Sequence, residues 1–252
     1  MPEGDSVWRA AKRLRPALEG KQLTGCDVRV PRFATVDLSG RTVDEIVTRG
    51  KHLLMRVGDT TIHTHLKMEG EWHIYPPGAR WRRPAYRARI VLSTKDAVVV
   101  GFSLGITEIL ARSEEDRVIG HLGPDLLGAD WDPDEAVARL RSDPLRPVGL
   151  ALLDQRNLAG IGNIFRSEAC FMARVDPRTA VGDVADLHAL IEHARILLTQ
   201  SIQTQRHRSY VYGRARMPCP RCRTTIRKLD QSDSPSAERY VFICPKCQPA
   251  PT

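Results

Sequence analysis

Four of the six cysteines in this chain stand as two Cys-x-x-Cys pairs, Cys219-x-x-Cys222 and Cys244-x-x-Cys247, at the two ends of the segment Arg223–Ile243. Paired knuckles of this spacing read as a tetrahedral metal site. Four thiolates at about 2.3 Å satisfy Zn²⁺ and close its coordination shell. A closed sulfur shell leaves no position for water, so such a zinc is structural and takes no part in catalysis. The competing readings are two disulfides or four incidental thiols, and a reducing compartment disfavours the first. The start, Met1-Pro2-Glu3-Gly4-Asp5, is acidic and has no apolar core of a secretory signal, and no window reaches the length of a membrane span. A cytoplasmic protein with one structural Zn²⁺ is therefore expected. Cys26 and Cys170 have no partner at ligand spacing and read as small buried hydrophobes.

Composition narrows the partner. With 42% hydrophobic and 27% charged residues the 252-residue chain is an ordinary globular sequence, long enough for one large domain or two modest ones. Lys+Arg outnumber Asp+Glu by 38 to 30, which favours a polyanion, nucleic acid before a membrane surface. The cations are not evenly spread. Arg206, Arg208, Arg214, Arg216, Arg221, Arg223, Arg227 and Lys228 follow one another with no Asp or Glu among them. A charge run is ordinarily a solvated face. Beside a rigid metal module it can instead present cations to phosphates in fixed geometry.

Periodicity divides the chain. Val7, Ala11, Leu14 and Leu18 share one helical face, with Asp5 or Ser6 as a possible cap and Gly20 just past the end. Short runs rich in Val, Ile and Thr then alternate with turns at 23–30, 43–49, 53–57, 61–66, 86–92 and 97–100, the pattern of an antiparallel sandwich or barrel. Gly, Pro and Asp recur through 120–134 as a hinge, and helical periodicity takes over at 134–141, 148–153, 164–173 and 187–202. Within this half, Gly160-Ile161-Gly162-Asn163 precedes a helix directly. Glycines let a backbone approach closely, Asn163 is a good N-cap, and free helix N–H groups favour an anion such as phosphate. A plain structural turn explains the same residues equally well. The segment is not a dinucleotide fingerprint, since Phe165 stands where the third glycine belongs, and Gly50-Lys51-His52 is not a P-loop.

Taken in order, four segments resemble the formamidopyrimidine-DNA glycosylase/endonuclease VIII family of base-excision repair enzymes: Met1-Pro2-Glu3-Gly4, Thr48-Arg49-Gly50-Lys51, Leu152 to Glu168, and Cys219 to Gln248. The resemblance implies an α+β fold: an N-terminal β-sandwich with flanking helices (1–120), a hinge (121–133), a helix–two-turns–helix domain (134–205) and a β-hairpin zinc finger (206–252). It implies a monomer that holds damaged DNA with one base flipped into the interdomain cleft, and no membrane partner. In a bacterium such a protein would sit on the nucleoid when bound.

The implied roles suit the residue types. With Met1 removed, Pro2 is a secondary amine able to attack a sugar carbon and form an iminium ion. Glu3 would then act as general acid on the sugar ring oxygen. Without the resemblance, the pair would read as a frayed terminus. Lys51 would reach a phosphate or sugar near the lesion from its strand, where the alternative is a solvated surface lysine. Asn163 and Gly162 would hold backbone phosphate at the helix start, Arg214 would add a phosphate contact, and Arg239 would grip the phosphates flanking the lesion. Met68 falls where the family inserts an apolar wedge into the hole left by the everted base, and a core methionine on a strand is the alternative. His63 and His65 share a strand face and read as packed or hydrogen-bonded, with no third metal ligand in view.

Three departures bear on the reading. Ser6 stands where the family often has a carboxylate. The zinc hairpin carries a longer tip, Asp230 to Ser236. Val100-Gly101-Phe102-Ser103 lacks the Asp-x-Arg-Arg-Phe-Gly motif of the formamidopyrimidine branch, which tilts the resemblance to the endonuclease VIII branch and oxidised pyrimidines. The activity implied is removal of an oxidised base with strand cleavage by β,δ-elimination. The rival readings are a non-catalytic zinc-finger DNA-binding protein and, further off, a zinc-ribbon module of a larger assembly.

Overall fold

Helix α1 (Gly4–Leu18) forms on the expected apolar stripe, with Val7, Ala11, Leu14 and Leu18 all buried, and Gly20 ends it at φ +73°. Its start differs from expectation. Asp5 lies inside the first turn, and its carboxylate accepts the Ser201 hydroxyl at 2.6 Å. The structure is a computed structural model, described for residues 2–205, 209–232 and 239–251. Met1, Arg206, Arg208 and the hairpin tip from Asp233 to Ser236 lie outside the described residues.

The chain divides into two compact units, Pro2 with Ser6–His121, and Glu3–Asp5 with everything from Leu122 onward. The first unit is a sandwich of two antiparallel four-stranded sheets. One runs β2 (Glu45–Arg49), β3 (His52–Val57), β4 (Thr60–His65), β8 (Ile106–Ala111); the other β1 (Gly25–Val28), β6 (Ala88–Ser93), β7 (Val98–Phe102), β5 (Glu71–Tyr75). Ile46, Leu53, Met55 and Ile62 from the first meet Trp72, Ile90, Leu92 and Val99 from the second, and α1 closes the same core. Short helix α2 (Asp116–Ile119) follows the last strand.

Two strands go beyond the expected set. In β5, Glu71-Trp72-His73-Ile74-Tyr75 interleaves polar residues with aromatics, and β8, Ile106-Thr107-Glu108-Ile109-Leu110-Ala111, has helix-forming composition. Both are strands because they pair: Tyr75 with Val98, and His63 with Glu108. Since β5 and β6 each run antiparallel to β7 on opposite sides of it, the chain between them must cross a sheet face. It crosses the outer one, where Trp81 packs edge-on against Phe102 at 5.7 Å.

The second unit is built on helices α3 (Pro133–Arg141), α4 (Val148–Leu153), α5 (Asn163–Ala173) and α6 (Leu187–Thr204), followed by the hairpin β9 (Arg227–Asp230) and β10 (Tyr240–Ile243). Asp132 caps α3 and Asp186 caps α6, each carboxylate accepting backbone N–H groups of the first turn. Leu140, Val148, Leu152, Leu158, Ile161, Phe165, Leu190, Ala194 and Leu198 form one apolar core. A second, smaller core of Phe171, Val211, Cys219, Ile226 and Cys244 fastens the cysteine module to α5. Among the described residues no helix is long and apolar enough to cross a membrane.

Candidate functional site

The N-terminal segment is fastened by Glu3. This residue is 1% exposed, and its carboxylate accepts the backbone N–H of Gly162 and Ile164 at 2.7 Å and that of Phe165 at 3.3 Å. A helix start leaves such N–H groups without intrahelical partners, and an anion there is favoured by the helix dipole as well. The approach depends on glycine. A Cβ on Gly162 would stand 2.6 Å from the Glu3 carboxyl carbon. Alongside, Gly4 donates its N–H to the Gly160 carbonyl at 2.8 Å, and Gly160 supplies a φ of +101° that favours glycine. Gln155 holds the turn from within by accepting the Gly160 N–H and donating to the carbonyls of Leu153 and Ile161.

This geometry corrects the reading of the helix start. The N-cap of α5 is Gly162, and Asn163 is the first residue inside the helix. The anion at this end is the protein's own carboxylate, supplied by Glu3 from the other end of the chain. Asn163 is buried, and its Oδ1 has no hydrogen-bond partner among the described residues.

Lys51 also sits differently from expectation. It occupies the two-residue turn Gly50-Lys51 between β2 and β3, not a strand, and Gly50 takes φ +56° at the first turn position. Next to it lies a chain of side chains that spacing alone did not reveal. His63 Nδ1 meets Glu108 Oε2 at 3.0 Å, and His63 Nε2 meets His52 Nδ1 at 2.8 Å. A carboxylate only accepts, which assigns the proton on His63 to Nδ1 and that on His52 to Nδ1. His52 then presents a bare Nε2. The rings of His65 and His121 stand edge-on to His52 at 5.1 Å and 6.4 Å. Burial first, then the neighbouring histidines, pull the His52 imidazole down to about 3. Burial and Lys67 hold His65 at about 4. Both rings are neutral at physiological pH.

Met68 is 63% exposed in the loop joining β4 to β5, so it is not a core methionine. The loop is tightly built: Gly70 donates to the Leu66 carbonyl at 2.9 Å, Lys67 has φ 53°, and a Cβ on Gly105 would strike the Lys67 side chain.

The four cysteines converge. Their sulfurs lie within 4.8 Å of one another, with Cys222 3.4 Å from Cys244 and 3.5 Å from Cys247, and Cys219 3.9 Å from Cys247. A tetrahedron of thiolates about 2.3 Å from a zinc has edges of about 3.8 Å, and a disulfide would need about 2.05 Å. The donor set fits one structural zinc, whose chemistry is to lock the hairpin.

Residues that the sequence did not single out tie this module down. Glu168 on α5 is 1% exposed and accepts the N–H groups of Tyr210, Val211 and Tyr212 at 2.8–3.1 Å; burial raises its pKa while those three bonds oppose the rise. Arg166, fully buried, donates to the carbonyls of Gly149 and Tyr240 and to Gln231. The available signal was a charged pair one turn inside an otherwise apolar helix. The basic run is partly spent on structure: Arg221 stacks on Phe171 at 4.2 Å and donates to its carbonyl, and Arg214 donates to the Pro218 carbonyl. Lys228 lies over the Tyr240 ring. Arg239 is exposed just ahead of β10, its carbonyl held by the Gln231 N–H.

The fold is shared with MutM in complex with DNA containing carbocyclic 8-oxo-G, at a TM-score of 0.85 and 22% identity, covering 99% of this chain and 100% of that one. Sequence models match in the same order as the elements: the formamidopyrimidine-DNA glycosylase N-terminal domain over residues 1–103, its H2TH domain over 122–211, and the zinc finger found in FPG and IleRS over 218–250. The chain belongs to the formamidopyrimidine-DNA glycosylase/endonuclease VIII family. Its endonuclease VIII character is carried by two relatives. A probable endonuclease 8 2 of Streptomyces coelicolor is 51% identical over 263 residues (all of this chain, 95% of that protein). The DNA-(apurinic or apyrimidinic site) lyase Nei2 of Mycolicibacterium smegmatis is 47% identical over 260 residues, covering 99% of this chain and all of that protein.

Proposed function

We propose that the protein is a bifunctional DNA glycosylase and abasic-site lyase that removes oxidised bases, pyrimidines foremost, from damaged DNA. The observation that carries the reading is Glu3. A carboxylate buried in a helix start, bonded to three backbone N–H groups, leaves the adjoining Pro2 no freedom to fray.

With Met1 removed, the Pro2 nitrogen is a free secondary amine; with Met1 in place it is an amide with no lone pair to give. The amine attacks C1′ of the damaged nucleotide, the base departs with its bonding electrons and a proton, and the sugar ring opens to an iminium ion on Pro2. Glu3, one residue away, takes up the proton that the Pro2 nitrogen sheds on attack and returns it to the ring oxygen as the ring opens, while the departing base draws its proton from water. The Glu3 carboxylate, its proton spent on the ring oxygen, takes a C2′ proton as the 3′ phosphate leaves by β-elimination, and loss of a further sugar proton to water expels the 5′ phosphate by δ-elimination. Hydrolysis of the iminium returns the amine.

In this reading Lys51, the Asn163 side chain and Arg239 hold phosphates or sugar around the lesion, and exposed Met68 fills the space left by the flipped base. Gly162, its N–H given to Glu3, and Arg214, bonded to the Pro218 carbonyl, shape the site and do not grip phosphate. Cys219, Cys222, Cys244 and Cys247 would hold a zinc whose role is to fix the hairpin that carries Arg239. The domains are those implied by the resemblance, with residues 1–120 catalytic and 134–252 binding DNA. The protein works as a monomer in the cytoplasm, on the nucleoid.

Borohydride reduction in the presence of abasic-site DNA tests this. A covalent adduct is expected, mapping by peptide mass to residue 2 of a chain that lacks Met1. No adduct, with DNA binding intact, would make the protein a non-catalytic zinc-finger binder. An adduct on a lysine, or one that persists with an acetylated N-terminus, would overturn the nucleophile.

A further inference from the structure

Arg80, Arg82, Arg83, Arg87 and Arg89 fall within ten positions, and no acidic residue interrupts them. None has a part in the chemistry above. They lie on or beside the segment that crosses the outer face of the second sheet, which is held at several points. Trp81 packs edge-on to Phe102, and the Arg29 guanidinium lies over the Trp81 ring at 5.4 Å. The Tyr75 hydroxyl accepts the backbone N–H of Arg82 at 3.1 Å. Arg83 pairs with Glu71, and Arg89 donates to the Tyr86 carbonyl. The backbone is thus pinned and the remaining cations point outward. Arg80, Arg82 and Arg87 are exposed, with no side-chain partner among the described residues, and Tyr86 beside them is 76% exposed. Two adjoining concavities of about 630 and 430 Å³ share Arg80 and Arg82, and Arg13 lines the second.

A charged loop is ordinarily just solvated, and two features separate this one from that case. Its cations are all arginines, whose forked donors match phosphate oxygens bidentately. Among them a large ring is kept in water at the cost of its hydration, which suits a face on which a base can stack. We infer that the Pro76–Arg87 crossover is a second nucleic-acid surface of this protein, gripping the phosphodiester backbone of a strand while a base lies on Tyr86. An acidic peptide is the other polyanion that could come here, but its carboxylates offer no flat ring face to Tyr86.

The test uses the zinc-loaded full-length chain, the triple variant Arg80→Ser/Arg82→Ser/Arg87→Ser, the same three positions changed to Lys, and Tyr86→Ala. Binding of undamaged 40-nucleotide single strands and duplexes is followed by anisotropy across salt concentration. Each phosphate contact adds about 0.7 to 0.9 to the slope of log K against log salt. The serine variant is expected to lose about 2 to 3 of that slope, the lysine variant to keep it, and Tyr86→Ala to weaken single-strand binding about tenfold. Abasic-site cleavage of a short duplex at saturating enzyme should be unchanged in all of them. An unchanged slope in the serine variant overturns the inference. So does polyglutamate that binds this surface and fails to displace DNA. Wild type that binds DNA with the expected slope yet cleaves no abasic site would sink the proposed activity and leave this surface standing.

Discussion

Replacing Gly162 by alanine drives a methyl group into the carboxylate of Glu3. The new Cβ would stand 2.6 Å from Cδ, 2.7 Å from Oε1 and 2.8 Å from Cγ of Glu3, distances no real Cβ tolerates. Glu3 is enclosed, so the carboxylate has to leave at least part of its three N–H donors. A hydrogen bond to a charged group contributes about 1.5–3 kcal/mol and a helix cap about 0.5–2 kcal/mol, and here the two overlap. The expected loss is about 2–4 kcal/mol, or a fall of roughly 5–10 °C in melting temperature for a chain of this size. Because Pro2 is bonded to Glu3, its amine moves too, and a displacement of about 1 Å lowers the rate of borohydride trapping roughly 100-fold. Gly25→Ala is the control, since its Cβ would meet nothing nearer than 3.5 Å. A Gly162→Ala protein that melts and traps like wild type refutes the reasoning. One that melts lower but traps at full rate would make Glu3 a cap with no part in the chemistry.

Other outcomes follow from the same contacts. Metal analysis should give one zinc per wild-type chain and none in Cys244→Ser, whose second unit should also become protease-sensitive; a wild type devoid of zinc, or a Cys244→Ser that keeps it, would exclude the tetrathiolate site. The depressed His52 and His65 values mean that the unfolded chain binds protons first as pH falls, so stability present above about 6.5 is lost below it. Each ring adds up to about 1.4 kcal/mol per pH unit in that window, and urea midpoints from pH 7 to 5 that stay flat would contradict it. Met68→Ala should change stability by less than about 0.5 kcal/mol, since the side chain is exposed, while weakening binding to an abasic-site duplex; equal affinity would remove the wedge role.

Much of the fold was legible because the hydrophobic period changes along the chain. The helices from Pro133 to Thr204 lie within a few residues of their expected limits, since each carries its own cap or apolar stripe. Strands β5 and β8 were hidden, because their polar residues are settled by partners that local pattern does not show: Glu71 and His73 pair with each other while β5 joins β7, and Glu108 meets His63 across from β4. The zinc ligands were readable from spacing alone. The histidine chain was not, because His52, His63 and Glu108 are brought together only by register, and no local pattern records which residues face each other across a sheet.

The helix start at Asn163 shows where a motif reading stops and geometry has to take over. Two glycines before a helix fit an anion site and a plain turn equally well, and the structure puts a carboxylate there. Nothing local says whether that anion is a ligand or a side chain from elsewhere, and here Glu3 arrives from the far end of the sequence. The same eleven-residue helix carries Glu168, which takes three more backbone N–H groups from the segment leading into the zinc module. One helix therefore satisfies two sets of otherwise stranded donors with two buried carboxylates, one acting on it and one acting from it. Each set is costly to leave unmade, more so than a typical hydrogen bond is worth when formed. Glu3 and the segment leading into the cysteine hairpin are thereby tied to α5 by carboxylate-to-backbone hydrogen bonds. The same contacts would hold the proposed nucleophile Pro2, the neighbour of Glu3, in place.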